Sequence, residues 1–194
     1  MSPATSERAG ALSREERWEV LGQRGATVWF TGLPACGKST LAAAVEERLV
    51  AGGSPAFVLD GDVLREGIAS DLGFSAEDRS ENARRAAHAA RMLAEAGVVA
   101  LVALVSPYAA DRDAARAIHA AAGVPFLEVW VATDLAECER RDPKGLYARA
   151  RAGELPGLTG VGDVYEEPRS PELVIADGEP IPAAATRLIA ALAD

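Results

Sequence analysis

Three clusters in the 194-residue chain hold side chains suited to handling phosphate. The first is VWFTGLPACGKSTL, residues 28–41, where Gly32, Leu33, Pro34, Ala35, Cys36, Gly37, Lys38 and Ser39 follow the order G-x-x-x-x-G-K-[ST], with Thr40 next. The glycines let the backbone wrap close to an anion, and successive N–H groups then point inward as a nest. A helix starting near Lys38 adds the positive end of its dipole. In that setting Lys38 reaches the β- and γ-phosphates of a nucleoside triphosphate, and the Ser39 hydroxyl ligates Mg²⁺. Cys36 reads either as a small residue tolerated beside the nest or as a redox-sensitive thiol at a helix start.

The second cluster is LDGD, residues 59–62. Phosphoryl transfer from Mg·ATP needs carboxylates near the metal and near the acceptor hydroxyl, and Asp60 and Asp62 are candidates for both tasks. They alternate along the chain, so Gly61 must redirect the backbone before they can serve one site. A plain strand-to-helix cap is the other reading of Asp62. The third cluster is cationic. Arg65, Arg79, Arg84 and Arg85 surround DLGFS (71–75), and ERRDPKGLYARARAGELPGLTG (139–160) carries Arg140, Arg141, Lys144, Arg149 and Arg151 between glycines. Arginine forks bind phosphate and sulfate bidentately, and Arg79 and Asn82 stand one helical turn apart on a common face. A cationic segment with glycine hinges suits a lid that closes on phosphates, about residues 142–160; solvated surface charge is the plainer alternative. Phe74, beside a glycine, stacks on a base or fills the core. His88 and His119 lie on Ala-rich helices without an acid–base partner and read as structural.

These residues need elements to hold them. Strand signals (ATVWFTG, AFVLDGD, VVALVALVS, FLEVWVAT, ELVIAD) alternate with helical ones (KSTLAAAVEERLVAGG, SAEDRSENARRAAHAARMLAEAG, YAADRDAARAIHAAAG, IPAAATRLIAALA). That alternation specifies an α/β fold: a three-layer P-loop NTPase architecture, with a parallel sheet, helices on both faces and a lid. Ligands sit at the carboxyl ends of the strands in such sheets, and every motif above falls there or in the lid. Residues 1–24 read as a mobile arm with a short helix capped by Ser13, and residues 25–194 as one domain.

Composition bounds the function. The chain is 49% apolar and 25% charged, with 20 basic and 29 acidic residues giving a net charge of −9, so a broad footprint on nucleic acid is not expected. No apolar run reaches membrane-spanning length, and the first twenty residues lack the apolar core of a signal peptide. Two cysteines without metal spacing fit a reducing cytoplasm. The third strand signal ends in Ser106-Pro107 where switch-type NTPases carry an acid, and no Asn-Lys-x-Asp guanine reader is present, so a GTPase switch is not expected.

Together GLPACGKST, LDGDVLR, DLGFSAEDRSENARR, VSPYAADR, EVWV, CERRDPKGLYARARAGE and LTGVGDVYEEP resemble, in order, the adenylylsulfate (APS) kinase family, from about Arg17 to Pro171. The resemblance implies Mg·ATP-dependent phosphorylation of the 3′-hydroxyl of adenosine 5′-phosphosulfate, giving PAPS for sulfate activation, by a homodimer. It implies ATP on Gly32–Thr40, Mg²⁺ at Ser39 and Asp60, and Asp62 as the base. Arg65, Phe74, Arg79 and Asn82 would bind APS, with Phe74 stacking on its adenine. Ser106, Pro107 and Tyr108 would line the substrate, and Lys144 and Leu146 would belong to the lid. Ser106 matches the family's phosphoserine position, although in-line transfer to a positioned hydroxyl needs no covalent step. The chain departs from the family at Pro34 and Cys36, at Val63-Leu64, and at Leu158, where the family's FTGI has the phenylalanine that completes an aromatic clamp on adenine. Leucine keeps apolar contact but gives up stacking worth about 1–3 kcal/mol per base. A kinase of this fold acting on another small hydroxyl compound of specialised metabolism, or a non-catalytic nucleotide-binding module, stand as alternatives.

Overall fold

All five strand signals form strands, and all pair in parallel. A computed structural model describes residues 12–193. Its sheet runs β2 (Ala56–Asp60), β3 (Val99–Ala103), β1 (Ala26–Thr31), β4 (Phe126–Ala132), β5 (Leu173–Ala176), in that spatial order. The unbroken apolar sequence of β1 and β3 follows from burial on both faces. Val28 and Phe30 of β1 point into one core with Leu41 and Val45 of α2 (Lys38–Ala51) and Leu188 of α8 (Ile181–Ala193). Trp29 points into the other core, against Ala83, Ala86, Ala87 and Ala90 of α4 (Ala76–Glu95) and Ala115 of α5 (Ala109–Ala122). The alanine face of α4 lets that helix lie close on the sheet, and Ser75 caps it as its sequence predicts.

Three local features depart from what the linear pattern predicts. The third strand was expected to run to Ser106, but β3 stops at Ala103. Ser106 adopts φ 39° and Pro107 has no N–H to give a ladder, so the chain leaves the sheet there. Short helices appear in stretches without an apolar period: α3 (Gly61–Glu66), α6 (Leu135–Arg141) and α7 (Leu146–Arg151). The segment read as a mobile arm is docked over its described part. In α1 (Arg14–Leu21), Ser13 and Glu16 form a capping box, and the buried Trp18 donates its indole N–H to Ala94 O at 3.0 Å. Gln23 donates to Pro55 O and Gly97 O, both at 2.9 Å. Burial of a whole indole outweighs the freedom a loose arm would keep. Residues 1–11 lie outside the described part.

Candidate active site

The glycine loop leaves the carboxyl end of β1 and enters α2 at Gly37, which has φ 109°, with Gly32 at φ 148° and Ala35 at φ 61°. A Cβ on Gly32 would stand 2.6 Å from Val131 O, so only glycine lets the loop pass β4. Neighbouring elements hold the loop's carbonyls. Tyr147 donates its hydroxyl to Pro34 O at 3.0 Å, and Thr133 and Arg141 donate to Cys36 O at 3.0 and 3.3 Å. Lys38 is buried, and its Nζ donates to Gly32 O at 2.9 Å and Leu33 O at 2.8 Å. Gly32, Leu33 and Cys36 form the back of the loop. Cys36 is 2% exposed, with its Sγ 3.5 Å from Lys38 Nζ. Burial pushes the thiol of the second cysteine, Cys138, up to about 11, and it stays protonated at neutral pH.

In front of the loop lies a cleft of about 540 Å³, which the predicted residues Pro34, Ala35, Gly37, Ser39 and Thr40 line together with Lys38. Both aspartates open onto it. The cap of α3 is Asp60, not Asp62: its Oδ1 accepts from Asp62 N at 2.9 Å, while its Oδ2 accepts from Ser39 Oγ at 2.5 Å. Ser39 and Asp60 thus place a hydroxyl and a carboxylate oxygen side by side where the nest ends. Asp62, freed from capping, pairs with Lys144 from the 142–160 segment.

The arginines divide. Arg65 and Arg79 line the cleft with Phe74 and Asn82. Arg84 and Arg85 do not: Arg84 is held by Glu81, and Arg85 by Glu81 and Asp71, on the outer surface. The Arg65 guanidinium lies 4.3 Å over the Phe74 ring, and that of Arg79 lies 5.8 Å from it. Burial, reinforced by the like charge of Arg79, lowers the pKa of Arg65. Asn82 is 6% exposed, and its buried Oδ1 has no partner among the described residues, an unspent acceptor on a residue of the cleft wall.

Ser106 and Pro107 line the cleft, as expected, and so do Lys144, Leu146 and Leu158 of the 142–160 segment. Tyr108 does not. It donates its hydroxyl to Asp163 Oδ2 at 2.8 Å, and burial with that bond raises its pKa. Segment 142–160 is tied down by Arg79, whose Nη2 donates to Gly157 O at 3.0 Å. Arg112, Asp163 and Glu166, which no sequence pattern above singles out, bond to Ser106, Tyr108 and Pro107 in turn, and Tyr165 bonds to Thr31 at the end of β1. They sit in two quoted motifs, VSPYAADR and DVYEEP, but only tertiary contact joins those stretches.

A phosphate nest that opens onto carboxylates and an aromatic–arginine wall, with no guanine-reading loop, defines a P-loop kinase of small molecules. Relatives narrow that class. The family model described as adenylylsulphate kinase matches residues 24–176. The adenylyl-sulfate kinase of Geotalea uraniireducens is 51% identical over 165 residues, 85% of this chain and 78% of that one. That of Citrobacter koseri is 50% identical over 186 residues, 96% of this chain and 90% of that one. The solved Mycobacterium tuberculosis APS kinase in complex with AMPPNP and APS matches with a TM-score of 0.87 at 49% identity, over 89% of this chain and 99% of that one. The chain belongs to the adenylylsulphate kinase family.

Proposed function

We propose that the chain transfers the γ-phosphoryl group of ATP to the 3′-hydroxyl of adenosine 5′-phosphosulfate, giving PAPS and ADP. One observation carries this reading: a single cleft joins the phosphate loop and Asp62 to the wall of Phe74, Arg79 and Asn82. ATP phosphates lie on the N–H groups of the loop and the start of α2, and Lys38 exchanges its contacts with Gly32 O and Leu33 O for phosphate oxygens. Asp62 takes the proton of the 3′-hydroxyl as the new O–P bond forms and the bridging O–P bond of ATP breaks. Lys144 leaves Asp62 for the moving phosphoryl group, which frees the carboxylate to act as base as segment 142–160 closes. Arg65, Arg79 and Asn82 hold APS, and Phe74 stacks on its base.

Ser39 and Asp60, with two oxygens 2.5 Å apart, fit a hard divalent cation that takes its other ligands from phosphate and water. Mg²⁺ bound there supplies neutralisation of the charge on the β- and γ-phosphates. Ser106, whose Oγ accepts from Trp29 Nε1 at 3.1 Å, acts through position, since in-line transfer to a positioned hydroxyl needs no phosphoserine. Two free, buried cysteines suit the cytoplasm, and we assign the active form as a homodimer, read by light scattering.

ADP release coupled to a redox dye, with APS, ATP and Mg²⁺, tests the reading. Turnover should require APS, and Asp62→Ala should lower kcat by about 10²–10⁴-fold; near-normal turnover of that variant sinks the assignment of the base. Leu158 on the cleft wall is the observation that favours a second reading, a kinase for another small hydroxyl compound. Faster turnover of such an acceptor than of APS would establish it.

A further inference from the structure

Arg112 lies in the first turns of α5 with only 2% of its surface exposed. A guanidinium buried that deeply needs partners for its donors, and here they come from three separate parts of the chain. Nε donates to Glu128 Oε1 on β4 at 2.7 Å, Nη1 to Ser106 O at 2.7 Å, and Nη2 to Glu166 O at 2.6 Å. Glu128 is also buried and is shared with Arg116, whose Nη2 stands 3.3 Å from Glu128 Oε2. Arg116 in turn pairs with Glu172, which accepts from the Glu128 N–H at 2.7 Å. The charges are therefore balanced, and each terminal nitrogen of the arginine donates to a backbone carbonyl.

Those two carbonyls matter. Ser106, at φ 39°, is one of two non-glycine residues among the described residues whose φ lies in the left-handed region; the other is Ala35 of the phosphate loop, at φ 61°. Such a conformation persists only where the surroundings impose it. Trp29 holds the Ser106 hydroxyl at 3.1 Å, and Thr31 donates to Val105 O at 2.8 Å and more distantly to Ser106 O at 3.4 Å, but Arg112 makes the short, charge-assisted bond to the Ser106 carbonyl, at 2.7 Å. Glu166, the other carbonyl partner, is laced onto the same wall. Its N–H donates to Pro107 O at 2.9 Å, and its Oε2 accepts from Ala109 N at 2.7 Å. Removing Arg112 loosens both sides of the joint at once.

We propose that Arg112 is a positioning residue for the acceptor. Without touching either substrate, it keeps Ser106 in its left-handed conformation and anchors Glu166, so that the Ser106–Pro107 wall stays in register with the cleft. This rests on the phosphoryl-transfer reading above. It makes an asymmetric demand: the acceptor side should suffer and the ATP side, built on β1 and α2, should not.

Two variants test it. Arg112→Met with Glu128→Gln removes the buried charge pair without leaving an uncompensated charge, and Arg112→Lys keeps the charge but cannot reach three partners. The double variant should raise the KM for APS about tenfold or more, the loss expected for a bond to a charged group, with the ATP KM within about twofold of wild type. The lysine variant should fall between the two. Independently, the Trp29 indole N–H resonance should shift and exchange faster with solvent, because its acceptor is Ser106 Oγ. Equal losses for APS and ATP, or an unchanged APS KM with an unmoved Trp29 signal, overturn the proposal. If the double variant does not fold, Arg112→Lys decides by the same two readouts. If the wild-type protein does not turn over APS, the functional reading fails, and the Trp29 signal alone decides whether Arg112 holds Ser106.

Discussion

Leu158 is where one side chain's size and chemistry pull in opposite directions. It is 7% exposed and belongs both to the cleft wall and to the core beside β1. Phe74, across the substrate site, is 66% exposed and already carries Arg65 on its ring. A second ring at position 158 adds base stacking worth about 1–3 kcal/mol, while overpacking a filled site costs about 1–3 kcal/mol of stability. Leu158→Phe should therefore lower the KM for APS by about one decade and lower Tm by a few degrees. Steady-state kinetics and a thermal melt read the two effects separately. A KM that stays the same or rises would argue that the base is not held between positions 74 and 158.

At the scale of an element, segment 142–160 is anchored in the core by Tyr147 and Leu158 but meets Asp62 through one exposed contact. The pair between Lys144 and Asp62 has both side chains more than half exposed, at 59% and 68%, and a pair so wet contributes little to stability. If Lys144 instead meets the transferring phosphoryl group, its removal takes away charge stabilisation that exists only during transfer. Lys144→Ala should leave Tm within a degree or two of wild type while kcat falls by about 10²–10³-fold. An equal fall in both would place the lysine in the scaffold and not in the reaction. The deeper anchor, Tyr147 on Pro34 O, ties α7 to the phosphate loop.

For the whole molecule, the packing around the sheet fully encloses an imidazole. His119 is 0% exposed, bonded to Thr27 Oγ1 at 2.9 Å and Ala115 O at 2.7 Å. Burial lowers its pKa from 6.5, so the folded state keeps the ring neutral where the unfolded chain takes up a proton. The unfolded state then binds more protons below pH 6.5, and stability falls as pH drops through that value and is complete above it. Tm should be level from about pH 7 to 8 and decline below about 6.5, with the slope reduced in His119→Gln. A slope unchanged by that substitution would assign the acid sensitivity to other groups. No helix among the described residues is long and apolar enough to cross a membrane.

The sheet and the nest are written in local sequence. Periodic apolar runs and G-x-x-x-x-G-K-[ST] are local signals, and backbone sterics act over a few residues, so five strands, their parallel order with helices and the phosphate loop were all legible. The same local rules foresaw the Ser75 and Ser13 caps. Tertiary structure decided what depends on contacts between distant stretches. It made Asp60 the cap and left Asp62 free, and it separated Arg65 and Arg79 from Arg84 and Arg85. It turned Tyr108 out of the cleft, docked Trp18 against α4, and placed Arg112 among Glu128, Ser106 and Glu166. Burial and hydrogen-bond satisfaction are properties of neighbours in space, and a linear pattern does not name the neighbours of a charged side chain.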